Sequence, residues 1–244
     1  MIEDTVAIDS IPIWKERRAP LERSKRRDLL EILAVYGMIL VVFWTPRPWQ
    51  YLALTLVIGA LFFAAANSFD GLQQMGLGGG NLRCSVLAVG ISLVVAAFAI
   101  TLAIRLHTFH FSGTTAAFLR RSCLYAAWAA IQEIVVQCFF LSRLLRVLGR
   151  STWAAAVAAM LFALAHLPSP ILMAITLVCG LAGCLFFLRY RSLYPIVLAH
   201  AILGIVIAIT VPGSVDHNMQ VGLGYLTWVD SSVPLGHASK LPQP

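Results

Sequence analysis

Long apolar runs, separated by short polar breaks, occupy most of the chain between positions 29 and 211. The runs are Leu29–Thr45, Trp49–Asn67, Leu82–Leu106, Ala117–Leu145, Thr152–Leu167, Ile171–Leu188 and Tyr194–Val211. A transmembrane helix needs about 20 mostly apolar residues, so the first and fifth runs are short and the fourth is long enough to tilt or protrude. The pattern predicts an all-α fold, a polytopic transmembrane bundle of about 6–8 helices.

The composition indicates the same class of protein. Of the 244 residues, 59% are hydrophobic and 12% are charged, whereas roughly 25% are charged in ordinary soluble domains. The mean hydropathy is +0.83. Because a soluble core of this length cannot bury so much apolar surface, we expect an integral membrane protein in contact with membrane lipids.

Basic residues are distributed unevenly between the two sides of the predicted bundle. Seven Lys and Arg residues lie between Lys15 and Arg27, just before the first apolar run. With seven crossings counted from there, thirteen of the 18 Lys and Arg residues fall on that side and five on the other. The positive-inside rule therefore predicts a cytoplasmic N-terminus in the cell membrane and an external C-terminus. Topology and anionic lipid headgroups account for the net charge of +7, so we expect no nucleic-acid partner.

The chain thus divides into three regions. Residues 1–28 form a basic cytoplasmic N-terminal segment, and residues 29–211 form the transmembrane helical bundle. Residues 212–244 carry Pro, Gly, Ser and isolated aromatic residues, which predicts a loosely ordered C-terminal tail.

Five carboxylate, amide or imidazole side chains lie within the apolar runs in the second half of the chain: Gln132, Glu133 and Gln137 in the fourth run, His166 in the fifth and His200 in the seventh. An ionisable side chain in hydrocarbon costs about 2.5–3.5 kcal/mol even on lenient scales, so such residues usually face a bundle interior or a wet cavity. One glutamate and two histidines are also a common zinc ligand set. The pattern predicts an intramembrane Zn²⁺ site with Glu133, His166 and His200 as ligands.

A structural role is the alternative for each of these residues. Glu133 and Gln137 are four positions apart and share a helix face, where a hydrogen-bond network can hold helices together. A lone histidine is more often a hydrogen-bonded core residue than a ligand, and Pro168 ends the helix near unpaired carbonyl groups just after His166. Such a network rarely needs a full carboxylate, and three separate runs each supply one potential ligand, which favours a functional site.

Three short motifs follow one another in separate apolar runs: Gln132-Glu133-Ile-Val-Val-Gln137, Phe162-Ala-Leu-Ala-His166 and His200-Ala-Ile-Leu-Gly204. They resemble the signatures of the CPBP family, the CAAX prenyl protease and bacteriocin-processing group of intramembrane proteases. Those signatures are Glu-Glu-x-x-x-Arg, Phe-x-x-x-His and His-x-x-x-Asn (or Asp). The resemblance covers a core that corresponds approximately to residues 119–209.

The resemblance implies an intramembrane metalloendopeptidase that hydrolyses a peptide bond of a membrane-associated protein or peptide with an activated water. In this interpretation His166 and His200 bind Zn²⁺ or position the water, and Glu133 is the third ligand or the general base. Gln132 and Gln137 donate to the oxyanion or hold the substrate backbone. A hydrolase that uses the glutamate and histidines without metal is the alternative within the family.

Departures from the family signatures leave other functions open. Gln132 stands where the family has the glutamate thought to activate water, and glutamine cannot take up a proton. Gln137 replaces the arginine and Gly204 replaces the asparagine. Either Glu133 has taken over the role, or the chain is a catalytically inactive relative that acts as a membrane scaffold or binding partner. A small-solute transporter is a further alternative, which the dissimilarity of the two halves of the chain disfavours.

The predicted site residues lie at different depths in their helices. At about 1.5 Å per residue, Glu133 and His166 are roughly 20 Å from the cytoplasmic ends of their runs, whereas His200 is only about 9 Å in. The three side chains meet only if the connection Arg189–Pro195 dips into the bilayer or if the helices tilt.

Overall fold

The computed structural model describes residues 25–66, 75–78, 82–111 and 113–232. This part of the chain contains helices and no strands. The helices are α1 Lys25–Trp44, α2 Trp49–Ala66, α3 Leu82–Arg105, α4 Thr115–Glu133, α5 Ser142–Leu148, α6 Ser151–Leu164, α7 Pro170–Tyr190, α8 Tyr194–Thr210, α9 Gly213–Asp216 and α10 Gly222–Ser232. A π-helical segment, Ile134–Leu141, joins α4 to α5, so that Thr115–Leu148 is one helix of 34 residues. The predicted all-α transmembrane bundle is therefore confirmed.

Three helices of the described part are long and apolar enough to cross a membrane: Arg83–Arg105, Thr115–Leu148 and Pro170–Tyr190. α8 and the following segment Gly213–Met219, bent by 113° relative to each other, count together as a fourth. Seven apolar runs predict seven crossings, but only three or four helices of the described part are long enough to cross a membrane. α6 is an example, since its 14 residues extend only about 21 Å.

The helices pack as in a bundle in which successive helices run in opposite directions. α6 packs along α7, α3 and α4 pack along α8, and α1 packs against α2 and α5. The backbone N–H of His110, just after α3, donates to the carbonyl oxygen of Ile209 near the end of α8 over 3.0 Å. Arg146 in α5 donates two hydrogen bonds, of 2.8 and 2.9 Å, to Asp28 in the first turn of α1. The end of the 34-residue helix therefore lies beside the start of α1.

Apolar side chains are divided between a packed interior and an exposed surface. The interior lies where α1, the π-helical segment, α6 and α7 meet, and Leu141 and Phe187 are completely buried there. On α3, in contrast, Val94 and Phe98 are 71% and 69% exposed. A large exposed apolar surface marks a contact with membrane or partner, and in this membrane protein we assign it to lipid.

Helices extend into both predicted end regions where the structure describes them. Residues 1–24 and 233–244 lie outside the described residues. α1 begins at Lys25, inside the predicted basic segment, and residues after Val211, predicted as a loosely ordered tail, form α9, a 3₁₀ turn and α10. The N–H of Gly222 donates to the carbonyl oxygen of Leu167 over 2.7 Å. Backbone contacts of this kind leave no apolar periodicity in the sequence, so the tail pattern does not predict them.

Candidate active site in the helical bundle

Glu133 lies at the junction between the α-helical and π-helical parts of the 34-residue helix. It is the last residue of α4, and the π-helical segment begins at Ile134. Its carboxylate is buried, and the side chain of Gln137, which is also buried, donates from Nε2 to Glu133 Oε2 over 3.0 Å. Short π-helical insertions are frequent at functional sites. The predicted pairing of Glu133 and Gln137 on one helix face is present.

His200 meets Glu133 from the neighbouring helix α8. His200 Nδ1 is 2.8 Å from Glu133 Oε1, and the side chains of the two residues are 17% and 7% exposed. An ionised carboxylate only accepts hydrogen bonds, so we assign the proton to Nδ1. The Nε2 atom of the neutral ring then carries a free lone pair. The pair is a buried carboxylate that orients an imidazole.

His166 lies two residues beyond the end of α6, in the turn that precedes α7. His166 Nδ1 is 2.8 Å from the carbonyl oxygen of Phe162, which can only accept, so Nδ1 of this ring also carries the proton. The Phe162 ring contacts both imidazoles edge to face, with its centroid 5.0 Å from that of His166 and 5.9 Å from that of His200. Within the described residues no hydrogen bond engages Nε2 of either histidine.

The connection between α7 and α8 explains how His200 reaches the depth of Glu133. Leu193 in this connection is buried, and its N–H donates to the carbonyl oxygen of Gly76 over 3.0 Å. The preceding residue, Met75, accepts a hydrogen bond of 3.4 Å from Cys138 Sγ. Cys138 lies ten residues before the end of the 34-residue helix at Leu148, or roughly 15 Å along it. The α7–α8 connection therefore dips into the bundle, as one of the two sequence-based explanations requires.

The two glutamines predicted as site residues, Gln132 and Gln137, differ in their contacts. Gln132 is half-buried and is rotated by about 100° from Glu133 around the helix. It makes no hydrogen bond within the described residues. Gln137 donates one N–H of Nε2 to Glu133, and its Oε1 has no hydrogen-bond partner among the described residues, so a role in holding a substrate stays a prediction. The geometry thus brings together Glu133, Gln137 and His200, and the Phe162 ring contacts both His200 and His166.

The predicted zinc ligands fit a metal ion only in part. The Nε2 atoms of His166 and His200 are suitable donors, because a metal-bound histidine commonly donates its other N–H to a carboxylate or a carbonyl. Both oxygens of Glu133, however, accept hydrogen bonds from protein groups. Among the described residues no three His, Cys, Asp or Glu side chains lie together as a metal site requires. The three residues do not form a three-ligand zinc site in this arrangement.

Tyr125 belongs to the site although its sequence context does not single it out. It lies on α4 eight residues before Glu133, and its ring meets the His200 ring edge to face with the centroids 6.3 Å apart. A Cβ atom at Gly204 would overlap the Tyr125 hydroxyl. The only signal in the sequence is the i, i+8 spacing to Glu133, which puts both residues near one helix face.

The fold and the site define a polytopic membrane protein with a glutamate–histidine pair inside its helical bundle. Residues 112–206 match the sequence model of the family described as Rce1-like, type II CAAX prenyl endopeptidase Rce1-like. This match confirms the resemblance suggested by the three motifs. The match covers less than half of the chain and includes Glu133, His166 and His200. No curated protein and no solved structure gives a significant match to the chain.

Proposed function

We propose that the protein is an intramembrane endopeptidase that uses a water molecule to hydrolyse a peptide bond of a membrane-associated protein or peptide. The observation that carries the proposal is the 2.8 Å contact between Glu133 Oε1 and His200 Nδ1 in a segment that matches an endopeptidase family. A carboxylate that fixes the tautomer of a histidine prepares the other ring nitrogen to act as a general base.

In the proposed reaction His200 is the base and Glu133 its orienting partner. Nε2 of His200 takes a proton from water, and the water oxygen forms a bond to the carbonyl carbon of the substrate. Glu133 stabilises the imidazolium that results. When the C–N bond breaks, His200 returns the proton to the departing amine. His166 Nε2 accepts a second hydrogen bond from the water and so fixes its position.

This assignment changes the roles that the sequence predicts for Glu133 and His200. Glu133 orients a base instead of acting as the base itself, because both of its oxygens are already engaged by Gln137 and His200. The missing carboxylate at Gln132 then matters less, since His200 takes up the proton. A metal-free reaction follows from this assignment, and no step in it requires Zn²⁺.

The membrane setting restricts the class of substrate. The site residues come from apolar helices of an integral membrane protein, and Glu133 is buried among them. A substrate must therefore enter from the lipid or from the membrane surface, as a lipid-anchored or membrane-spanning peptide can. With a cytoplasmic N-terminus in the cell membrane, as the basic residues predict, the dipping α7–α8 connection faces the cytoplasm.

Cleavage by the purified protein in liposomes tests the proposal. The probes are a farnesylated peptide with a C-terminal Cys-a-a-X sequence, the same peptide without lipid, and a single-span transmembrane peptide. The products are analysed by mass spectrometry in ¹⁸O-labelled water. We expect cleavage of at least one probe, with one labelled oxygen in the new carboxyl group.

Substitutions of the site residues test the role that we propose for each of them. We expect Glu133→Gln, His166→Ala and His200→Ala each to lower kcat by about 10²–10⁴-fold, the usual contribution of a general base. His107→Asn is the matched control, because His107 is exposed and has a positive φ of 56° that asparagine tolerates. Wild-type rates in Glu133→Gln and His200→Ala would refute the proposed mechanism.

A catalytically inactive membrane scaffold is the alternative function, and Gln132 is the observation that favours it. An amide at this position cannot take up a proton. Absence of cleavage of all three probes by the wild-type protein would favour the scaffold.

A further inference from the structure

Tyr125 projects from α4 towards the reacting groups of the proposed site. Positions 125, 129 and 133 follow one another at four-residue steps and so lie close to one face of the helix. Ala129, between the two, is completely buried, so this face is turned towards the packed helix α8. The Tyr125 ring contacts the edge of the His200 ring at a centroid distance of 6.3 Å and an interplanar angle of 71°.

Gly204 provides the space that the Tyr125 hydroxyl occupies. Gly204 follows His200 by four residues, so it lies on the same face of α8 one turn further along. A Cβ atom at this position would overlap the hydroxyl and the adjacent ring carbons of Tyr125. Any side chain at position 204 would therefore displace the tyrosine. The glycine that departs from the family signature is a requirement of this contact.

The Tyr125 hydroxyl has no partner in the described part of the chain. The hydroxyl forms no hydrogen bond with another described residue, and the side chain is only partly exposed. A largely enclosed tyrosine hydroxyl usually finds a hydrogen-bond partner. Because this one lies beside His200 in a membrane-embedded site, a substrate group is a suitable partner.

We propose that the Tyr125 hydroxyl donates a hydrogen bond to the carbonyl oxygen of the scissile peptide bond and stabilises the oxyanion that forms there. This inference rests on the proposed peptidase function. When water adds to the carbonyl carbon, the C=O π electrons move to the oxygen, which becomes negatively charged and accepts the hydrogen bond. When the C–N bond breaks, the carbonyl re-forms and the amine leaves with the proton from His200. The tyrosine keeps its own proton throughout.

Removal of the hydroxyl alone distinguishes the proposed oxyanion role of Tyr125 from a structural role of its ring. Tyr125→Phe keeps the ring against His200 and in the space above Gly204. If the hydroxyl stabilises the oxyanion, kcat for the peptide that the wild type cleaves falls by about 10²–10³-fold, the usual effect of one oxyanion donor. The KM and the thermal unfolding temperature in detergent stay at the wild-type values. Tyr36→Phe is the matched control, since Tyr36 is a half-buried tyrosine that packs on Phe140 in another part of the bundle.

A second pair of variants tests the same space with a different donor. Tyr125→Ala vacates the volume, and Gly204→Asn in the same chain fills it with an amide donor. We expect Tyr125→Ala to lose activity like Tyr125→Phe, and the double variant to recover at least tenfold over Tyr125→Ala. A donor role predicts this recovery, whereas a purely space-filling role of the ring does not.

The outcomes separate the inference from the proposed function. Wild-type kcat in Tyr125→Phe, with kcat lost in Glu133→Gln, would overturn the role of Tyr125 and leave the peptidase function in place. A loss of kcat in Tyr125→Phe that matches a loss of folded protein would also overturn it. No cleavage by the wild-type protein would overturn the peptidase function and this inference together.

Discussion

Both oxygens of the Glu133 carboxylate are engaged in hydrogen bonds within the protein. Oε1 accepts from His200 and Oε2 accepts from Gln137, so each oxygen already has a protein donor. To bind zinc, Glu133 would have to release one of these donors inside a buried site, where an unpaired polar group costs about 1–3 kcal/mol. The two histidines alone are fewer than the three protein ligands typical of catalytic zinc. At the scale of single residues, the contacts of Glu133 therefore favour its role as an orienting partner of His200 over a role as a metal ligand.

This reasoning predicts the metal content of the protein. We expect the detergent-purified wild type to hold far less than one zinc ion per chain, and cleavage to persist in 1,10-phenanthroline. Mass spectrometry of the metal content, with His166→Ala beside the wild type, checks the first point. Stoichiometric zinc in the wild type that disappears in His166→Ala, together with cleavage abolished by the chelator, would restore the zinc site predicted from the sequence.

At the scale of helices, four charged residues join α1 to α5. Asp28 is completely buried and accepts two hydrogen bonds from Arg146, at 2.8 and 2.9 Å. Arg143 contacts Glu31 at 2.8 Å and lies 3.7 Å from the centre of the Phe139 ring. Since Phe139 and Arg143 lie on the 34-residue helix that carries Glu133, these ion pairs hold the last turns of that helix against α1.

Removal of the buried carboxylate should therefore destabilise the bundle. We expect Asp28→Ala to lower the free energy of unfolding by about 3 kcal/mol, at the low end for a broken buried pair, because Arg146 is 36% exposed and stays partly solvated. Arg27→Ala is the control. It breaks an exposed i, i+4 pair with Glu31 and should cost about 0.3–0.5 kcal/mol. Denaturation in mild detergent measures both, and equal stability of the two variants would contradict the role of Asp28.

The sequence predicts some of these elements and misses others for physical reasons. The sequence singles out Glu133 and His200 because ionisable residues are rare in apolar runs, and the structure places the two side chains in contact. The π-helical segment depends on i→i+5 hydrogen bonds, which leave no distinct apolar spacing. The pairing of Tyr125 with Gly204 also left no signal, because a tyrosine in an apolar run resembles a packing residue. From the sequence alone, Gly204 indicates only the loss of the asparagine of the family signature, whereas its contact with Tyr125 gives it a structural reason.

At the scale of the whole molecule, the family segment and the rest of the bundle have different roles. Residues 112–206 contain the elements from α4 to most of α8, and all the proposed reacting groups lie within them. α1 lies outside this segment and packs against α5 near its start and against the first residue of α10 near its end. We infer that α1 and α10 support the site helices without contributing groups to the reaction.

The alternating bundle makes a definite prediction about the two sides of the membrane. Thirteen of the 18 Lys and Arg residues lie on one predicted side, which the positive-inside rule assigns to the cytoplasm. α10 has 11 residues and extends only about 17 Å, too short to return the chain across roughly 30 Å of hydrocarbon. We therefore expect the chain to remain on the external side after α8.

Reporter fusions in cells test this arrangement. We expect alkaline phosphatase, which is active only outside the cytoplasm, to be active when fused after Pro244, and a fluorescent protein that folds only in the cytoplasm to be dark there. Fusions after Arg150, between α5 and α6, should give the reverse result, since this turn follows the end of the helix that is bound to the start of α1. A fluorescent C-terminal fusion would mean an even number of crossings. In that case one of the shorter helices, such as α6, would enter the membrane without crossing it.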